Sequence, residues 1–278
     1  MIIKRILIDK ELLEFSNLPN TDRESLNRFR KETVQQRISR INREYYEHLD
    51  GRIVKGIFKG VSLKVAQSSQ KKKLSWWDHS PNNFIAKTNG EYEKEILNYL
   101  KGKKFDLFVD IGCADGYYLA GVYSANISRH VIGFEINKEM RNIAAQVLIN
   151  NNVHNALILP KANVKSVSSF LSKVNPSGNN LMLIDIEGSE FNLLSQEILK
   201  LLARYNFKII IEIHHWIPNF KNKYERLLRD ASRYFTLYAL PSCNRKLNHE
   251  IFRFEHQDNI YLSMSEGRPS KQRFLLLE

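Results

Sequence analysis

Acidic residues and histidines stand where four apolar runs of this chain end. Residues 105–116 read FDLFVDIGCADG, an apolar run closed by Asp110. Residues 130–136 read HVIGFEI and close on Glu135 and Ile136; 181–188 read LMLIDIEG, with Asp185 and Glu187; 208–215 read KIIIEIHH, with Glu212, His214 and His215. Successive side chains of a strand point to opposite faces. Asp185 and Glu187 therefore share a face, Glu212 and His214 share a face, and His215 opposes them. A slip of one residue would exchange His214 for His215. Such a set can take a proton from a hydroxyl. It can also hold a divalent cation that lowers a hydroxyl pKa, with Asp185, Glu212 and His214 as ligands. The third reading is structural, with Asp185 or Glu212 capping a helix or pairing with an arginine. The residues alone leave the three open.

The first run carries more information than its acid. Gly112 and Gly116 punctuate a tight turn, and residues from Tyr117 onward can start a helix. A strand, an acid, a glycine turn and a helix N-terminus make a nucleotide-type cleft. A dinucleotide fingerprint needs a second glycine near the first, but position 114 is alanine and Asp115 would face the pyrophosphate. No Gly-Lys-Ser/Thr follows, which excludes a phosphate-cradling loop of that kind. Two carboxylates suit a cationic ligand without phosphate, and S-adenosylmethionine carries a sulfonium and an amino group. Glu135 follows the turn by about 20 residues, the spacing at which a second-strand acid meets ribose hydroxyls. The expected cofactor contacts are Asp110, Gly112, Cys113, Ala114, Asp115, Gly116, Glu135 and Ile136.

The elements that position these residues alternate. Strands are expected at 105–110, 130–136, 156–160, 180–186 and 207–213, with helices at 116–124, 138–151, 165–173, 190–204 and 221–232. That order implies a mostly parallel, doubly wound Rossmann-like sheet with right-handed crossovers. Residues 234–240 and 259–264 read as late strands, an antiparallel sheet edge, with 241–258 inserted between them. Ahead of the sheet, 90–100 reads as a helix. Thr21 to Asp50 reads as one long helix with a Thr21–Glu24 capping box and an apolar stripe from Leu26 to Leu49 that packs on the rest of the chain or on a partner copy. Residues 51–65 read as a hairpin and 76–81, WWDHSP, as an aromatic loop. The expected division is an N-terminal extension, 1–80, and an α/β domain, 81–278.

Composition sets the bounds. With 43% hydrophobic and 26% charged residues, the 278-residue chain is ordinary globular material. Two cysteines give no disulfide framework, and the first residues lack the pattern of a secretory signal, so a reducing cytoplasm is expected. A net charge of +12 points to anionic partners such as nucleic acid, lipid head groups or acidic sugars. The charge is dispersed, and its tight clusters, 71–73 and 101–104, are not interleaved with aromatics as in single-strand binders. Nucleic acid is disfavoured, and a peripheral membrane contact fits the same balance.

VDIGCADGYY (109–118), GFEIN (133–137), LIDIEGSEFNLL (183–194), IIIEIHH (209–215) and the leading GEYEKEI (90–96) resemble the FkbM-type S-adenosylmethionine-dependent methyltransferases. The resemblance spans about residues 80–240. It implies a class I methyltransferase fold and O-methylation, often of sugar hydroxyls in polysaccharides, glycolipids or natural products. By that resemblance Asp110, Gly112, Ala114, Gly116 and Glu135 match cofactor positions, and Asp185 matches the acid at the reaction site. A carbohydrate or glycolipid acceptor is expected. The alternatives are an RNA methyltransferase and a non-catalytic binding module on the same fold.

Overall fold

The structure is a computed structural model that describes residues 33–65, 83–246, 257–264 and 273–278. Its centre is a seven-stranded sheet: β1 (Leu107–Ile111), β2 (Val131–Phe134), β3 (Ala156–Leu159), β4 (Asn180–Ile184), β5 (Phe207–Glu212), β6 (Leu237–Ala239) and β7 (Phe274–Leu277), in the order β3-β2-β1-β4-β5-β7-β6. β1 to β5 pair in parallel, and β7 runs antiparallel to both β5 and β6. This is the expected mostly parallel, doubly wound Rossmann-like sheet with an antiparallel edge. β1, β4 and β5 are near-continuous apolar runs because both of their faces are covered.

Two apolar clusters flank the sheet. One, with Phe108, Leu119, Leu181 and Ile210, lies under α4 (Tyr117–Ser124) and α5 (Lys138–Asn150). The other, with Val109, Ile184, Ile198 and Ile211, lies under α6 (Val164–Leu171), α8 (Gln196–Arg204) and α9 (Phe220–Ala231). Residues 51–65 join the first cluster. They form no pair of strands but a loop closed by one bridge, Arg52 to Ser62, and its Ile53, Phe58, Val61 and Leu63 are buried in that cluster. Gly121 leaves room for the Phe58 ring, whose atoms would lie 2.3 Å from an added Cβ.

The N-terminal helix is shorter than its pattern suggests. α1 is Val34–His48, and Thr33 caps it through a reciprocal box with Gln36. The expected capping box at Thr21 and the loop 76–81 lie outside the described residues. Ile41 of α1 packs on Ile85 of α2 (Phe84–Thr88) and on Ile260 and Met264 of α10 (Gln257–Met264). Ile38 and Ile41 of the stripe are thus buried within this chain, whereas Val34 is exposed. The segment 259–264, expected as a strand, is this α10 helix. Its Ile260 and Met264 stand four apart, the helical spacing that suits burial against α1 and α2. The edge strand is β7 instead, from 274–277. The expected helix 90–100 starts only at α3 (Lys94–Leu100), after Glu93 at a positive φ of 43°. The expected helix 190–204 breaks into a short α7 (Glu190–Leu193) and α8, because Ser195 caps a new start on Ile198. No helix among the described residues is long and apolar enough to cross a membrane.

Candidate active site

The parallel strands bring their carboxyl ends to one edge of the sheet. β1 leaves that edge through Gly112, where φ is +95° and an added Cβ would stand 1.8 Å from the Asp185 carbonyl oxygen. The ends of β1 and β4 are therefore in backbone contact, and the Asp185 N–H donates to Ile111 O at 2.9 Å. The turn continues through Ala114, itself at a positive φ of 43°, to Gly116 at the start of α4.

Glu135 ties this turn to the end of β2. Its Oε2 accepts the Ala114 N–H at 3.1 Å, and its Oε1 accepts the Asn137 N–H at 2.7 Å. Arg141 donates to the carbonyls of Glu135 and Ile136, and Ile136 is 69% exposed. Gly112, Ala114, Glu135, Ile136, Lys161 and Asp185 line one cleft of about 340 Å³. A carboxylate, an exposed apolar side chain and glycine-turn backbone on one wall suit a nucleoside. Lys161, beyond β3, escaped the sequence reading because no motif marks it.

The other expected cofactor residues lie deeper. Asp110, Cys113 and Asp115 are buried and do not line this cleft. Burial pushes the Asp110 carboxyl well above the usual range, and the neighbouring charges of Asp185, Glu93, Glu135 and Asp115 push the same way. Burial likewise raises the Cys113 thiol, which packs in the turn against the space left by Gly133. Asp115 was expected to face a cationic ligand. Its carboxylate is instead ion-paired with Lys87 Nζ at 2.6 Å, both side chains being almost fully buried. Lys87 also lies over the rings of Tyr92 and Tyr117. The charge of Asp115 is answered inside the protein, by a lysine whose place 28 residues earlier no local pattern reveals.

The second group gathers beside the first at the ends of β4 and β5. His214, 1% exposed, is surrounded by carboxylates. Glu190 Oε1 receives Nδ1 at 3.0 Å and the His214 backbone N–H at 3.3 Å. On the other side of the ring, Nε2 stands 3.3 Å from Asp185 Oδ1, 3.6 Å from Glu187 Oε2 and 4.0 Å from Glu212 Oε1. Burial alone would lower the imidazole pKa. The contacts with Asp185 and Glu190, and their charges, overcome it and hold the pKa up at about 10. These contacts favour a ring that carries both protons, which weighs against the expected neutral His214 as the base and towards Asp185. His215 points outward, with its ring against Trp216 and Phe220, so the register places His214 and not His215 in the cluster.

Two residues of this cluster were not singled out from the sequence. Glu190 is fully buried, and the chain reaches it by turning at Glu187 and Gly188, both at positive φ. It sits inside the DIEGSE run, but only that turn folds it back beneath His214. Trp216 is 59% exposed, and its ring lies nearly perpendicular to that of His214 with the centroids 4.8 Å apart. Asp185 belongs to both groups: it lines the cleft and touches the His214 cluster.

The methyltransferase FkbM domain model matches residues 157–247, the stretch that holds Asp185, Glu190, Glu212 and His214. No curated protein sequence matches the chain. Among solved structures, the bifunctional kinase-methyltransferase WbdD aligns at 12% identity and TM-score 0.42, over 66% of this chain and 37% of that one. The chain thus spans little more than a third of WbdD. A precorrin-6y C5,15-methyltransferase from Geobacter metallireducens aligns at 12% identity and TM-score 0.42, over 69% and 89% of the two chains. A putative O-methyltransferase from Klebsiella pneumoniae aligns at 12% identity and TM-score 0.41, over 98% and 95%. Over residues 157–247, about a third of the chain, the match to the FkbM methyltransferase domain agrees with the resemblance read from the motifs.

Proposed function

We propose that the chain is an S-adenosylmethionine-dependent O-methyltransferase acting in the cytoplasm on a sugar hydroxyl of a glycan or glycolipid precursor. The observation that carries this reading is the double position of Asp185, on the wall of a nucleoside-sized cleft and in contact with a buried imidazole. The residues present fit the cofactor. Glu135 keeps lone pairs for ribose hydroxyls beyond the two backbone donors it already accepts, and Ile136 offers an apolar face to the base. S-adenosylmethionine supplies a methyl group on a sulfonium: the acceptor oxygen forms the new C–O bond while the S–C bond breaks and its electron pair stays on sulfur.

The chain's own part is to place the acceptor and receive its proton. Asp185 Oδ1 is buried against the imidazole, so the exposed edge of this side chain is Oδ2. Oδ2 takes the hydroxyl proton as the oxygen becomes nucleophilic. His214 holds Asp185 in place, and Glu190 holds His214 from behind. Trp216 gives a sugar ring an exposed aromatic face beside this carboxylate.

Glu135→Ala is expected to weaken S-adenosylmethionine binding by roughly 1–3 kcal/mol, the loss of charge-assisted hydrogen bonds. Calorimetry on the folded variant checks this, and unchanged affinity would remove the ribose assignment. Trp216→Ala is expected to raise the acceptor KM by about tenfold, the worth of one good aromatic contact, with cofactor affinity kept. The reading as a whole is tested with a panel of deoxysugar and uronic acid glycosides and labelled S-adenosylmethionine. Methylation of RNA with none of any glycoside would sink the sugar assignment.

A further inference from the structure

We propose that Asp185, Glu212 and His214 bind one divalent cation of the Mn²⁺ or Mg²⁺ kind, with Glu190 as the positioning residue behind the imidazole. Binding stands on the geometry below; its use in catalysis rests on the O-methyltransferase reading.

One oxygen of Asp185, one oxygen of Glu212 and one ring nitrogen of His214 lie within 4.8 Å of one another. Ligands on opposite sides of a shared hard cation stand about 4–5 Å apart, so these atoms can meet one ion with small side-chain adjustments. Two carboxylates and one imidazole suit divalent ions that prefer oxygen and tolerate nitrogen, and they leave positions for water or an acceptor hydroxyl. Glu212 and His214 are almost fully buried, whereas Asp185 is half-buried and opens to the cleft. An ion here would be shielded on the protein side and open on the substrate side.

A second observation points the same way. Glu190 is fully buried; its Oε1 binds His214, and its Oε2 has no hydrogen-bond partner. Among the described residues no lysine or arginine pairs with Asp185, Glu187 or Glu190, and the side chain all three share is the one imidazole. Asp185, Glu187 and Glu190 thus gather their carboxylates on one buried ring, and buried charge is costly without compensation. Glu190 on Nδ1 also fixes the ring so that Nε2 faces Asp185, Glu187 and Glu212. A carboxylate that orients a metal-binding histidine is the usual support behind such a ligand. The ion would displace the Nε2 proton of His214 to solvent as it binds, and would then take the acceptor oxygen as a ligand and lower its pKa. The C–O bond then forms as above, and Asp185 keeps Oδ2 for the departing proton while Oδ1 ligates.

The test is a Mn²⁺ titration of the full chain by electron paramagnetic resonance, without acceptor or S-adenosylmethionine. One saturable Mn²⁺ per chain, displaced by Mg²⁺ and showing nitrogen coupling from a bound imidazole, is the expected result. Asp185→Asn should weaken binding by tenfold or more, and His214→Ala should abolish the nitrogen coupling. Glu190→Gln should weaken it about 10- to 100-fold, while the melting temperature of the cation-free variant stays near wild type. Asp185 is half-buried, so its asparagine variant keeps the test usable if the buried substitutions do not fold. No saturable Mn²⁺, or equal binding by wild type and Asp185→Asn, would overturn the site. Failure of S-adenosylmethionine to bind, measured separately, would count against the methyltransfer reading and leave the cation site standing.

Discussion

Gly112→Ala is expected to destabilise the protein by roughly 2–6 kcal/mol, adding left-handed strain and overpacking of roughly 1–3 kcal/mol each. Gly112 sits at φ +95°, where L side chains are strained, and its Cβ would lie 1.8 Å from the Asp185 carbonyl oxygen. Neither side can retreat easily. The Gly112 N–H is bonded to Phe134 O at 2.8 Å, and the Asp185 N–H to Ile111 O at 2.9 Å. One methyl group would have to part β1 from β4 at the point where both feed the site. Urea unfolding reads the loss directly, and a midpoint within error of wild type would contradict the close approach. From the sequence this glycine reads as room for a ligand; in the structure it is room for the neighbouring strand's backbone.

The second large effect is expected from Asp185→Asn, which keeps the size of the side chain and removes its charge. Turnover at saturating substrates should fall by about 10²- to 10⁴-fold, the usual worth of a positioned general base. The cleft wall keeps its shape, so S-adenosylmethionine affinity should change far less than turnover. His214→Ala should lose activity in the same direction by withdrawing the ring that holds Asp185 in place. Asp185→Asn turning over within about threefold of wild type, with an acceptor proven for the parent, would leave proximity alone as the source of rate.

Much of this was legible because the relevant patterns are local. Each of β1 to β5 is an apolar run between turn residues, and the acids at the ends of β1, β2, β4 and β5 follow from where those runs stop. The identity of the inward histidine followed from strand alternation once the register was known. What escaped depends on residues distant in sequence. Lys87 neutralises Asp115 from α2, and nothing near position 115 announces it. Glu190 reads as an ordinary first-turn acid until Gly188 bends the chain. NIYLSM (259–264) is apolar at both strand and helix spacings, and only its burial against Ile41 and Ile85 makes it a helix. FLLL (274–277) is too short to announce itself, and its place in the sheet is set by partners on β5 and β6.

The position of β7 has a further consequence, for synthesis on the ribosome. β5 and β6 are made first, yet they are separated in the sheet by a strand that emerges later. Until residues 274–277 leave the exit tunnel, β5 presents an open edge of unpaired backbone groups beside the half-formed site. A nascent chain paused before that point holds β1 to β5 but lacks the strand that closes β5 and anchors β6. It is the species most exposed to wrong pairing, and to capture by chaperones that bind open strand edges.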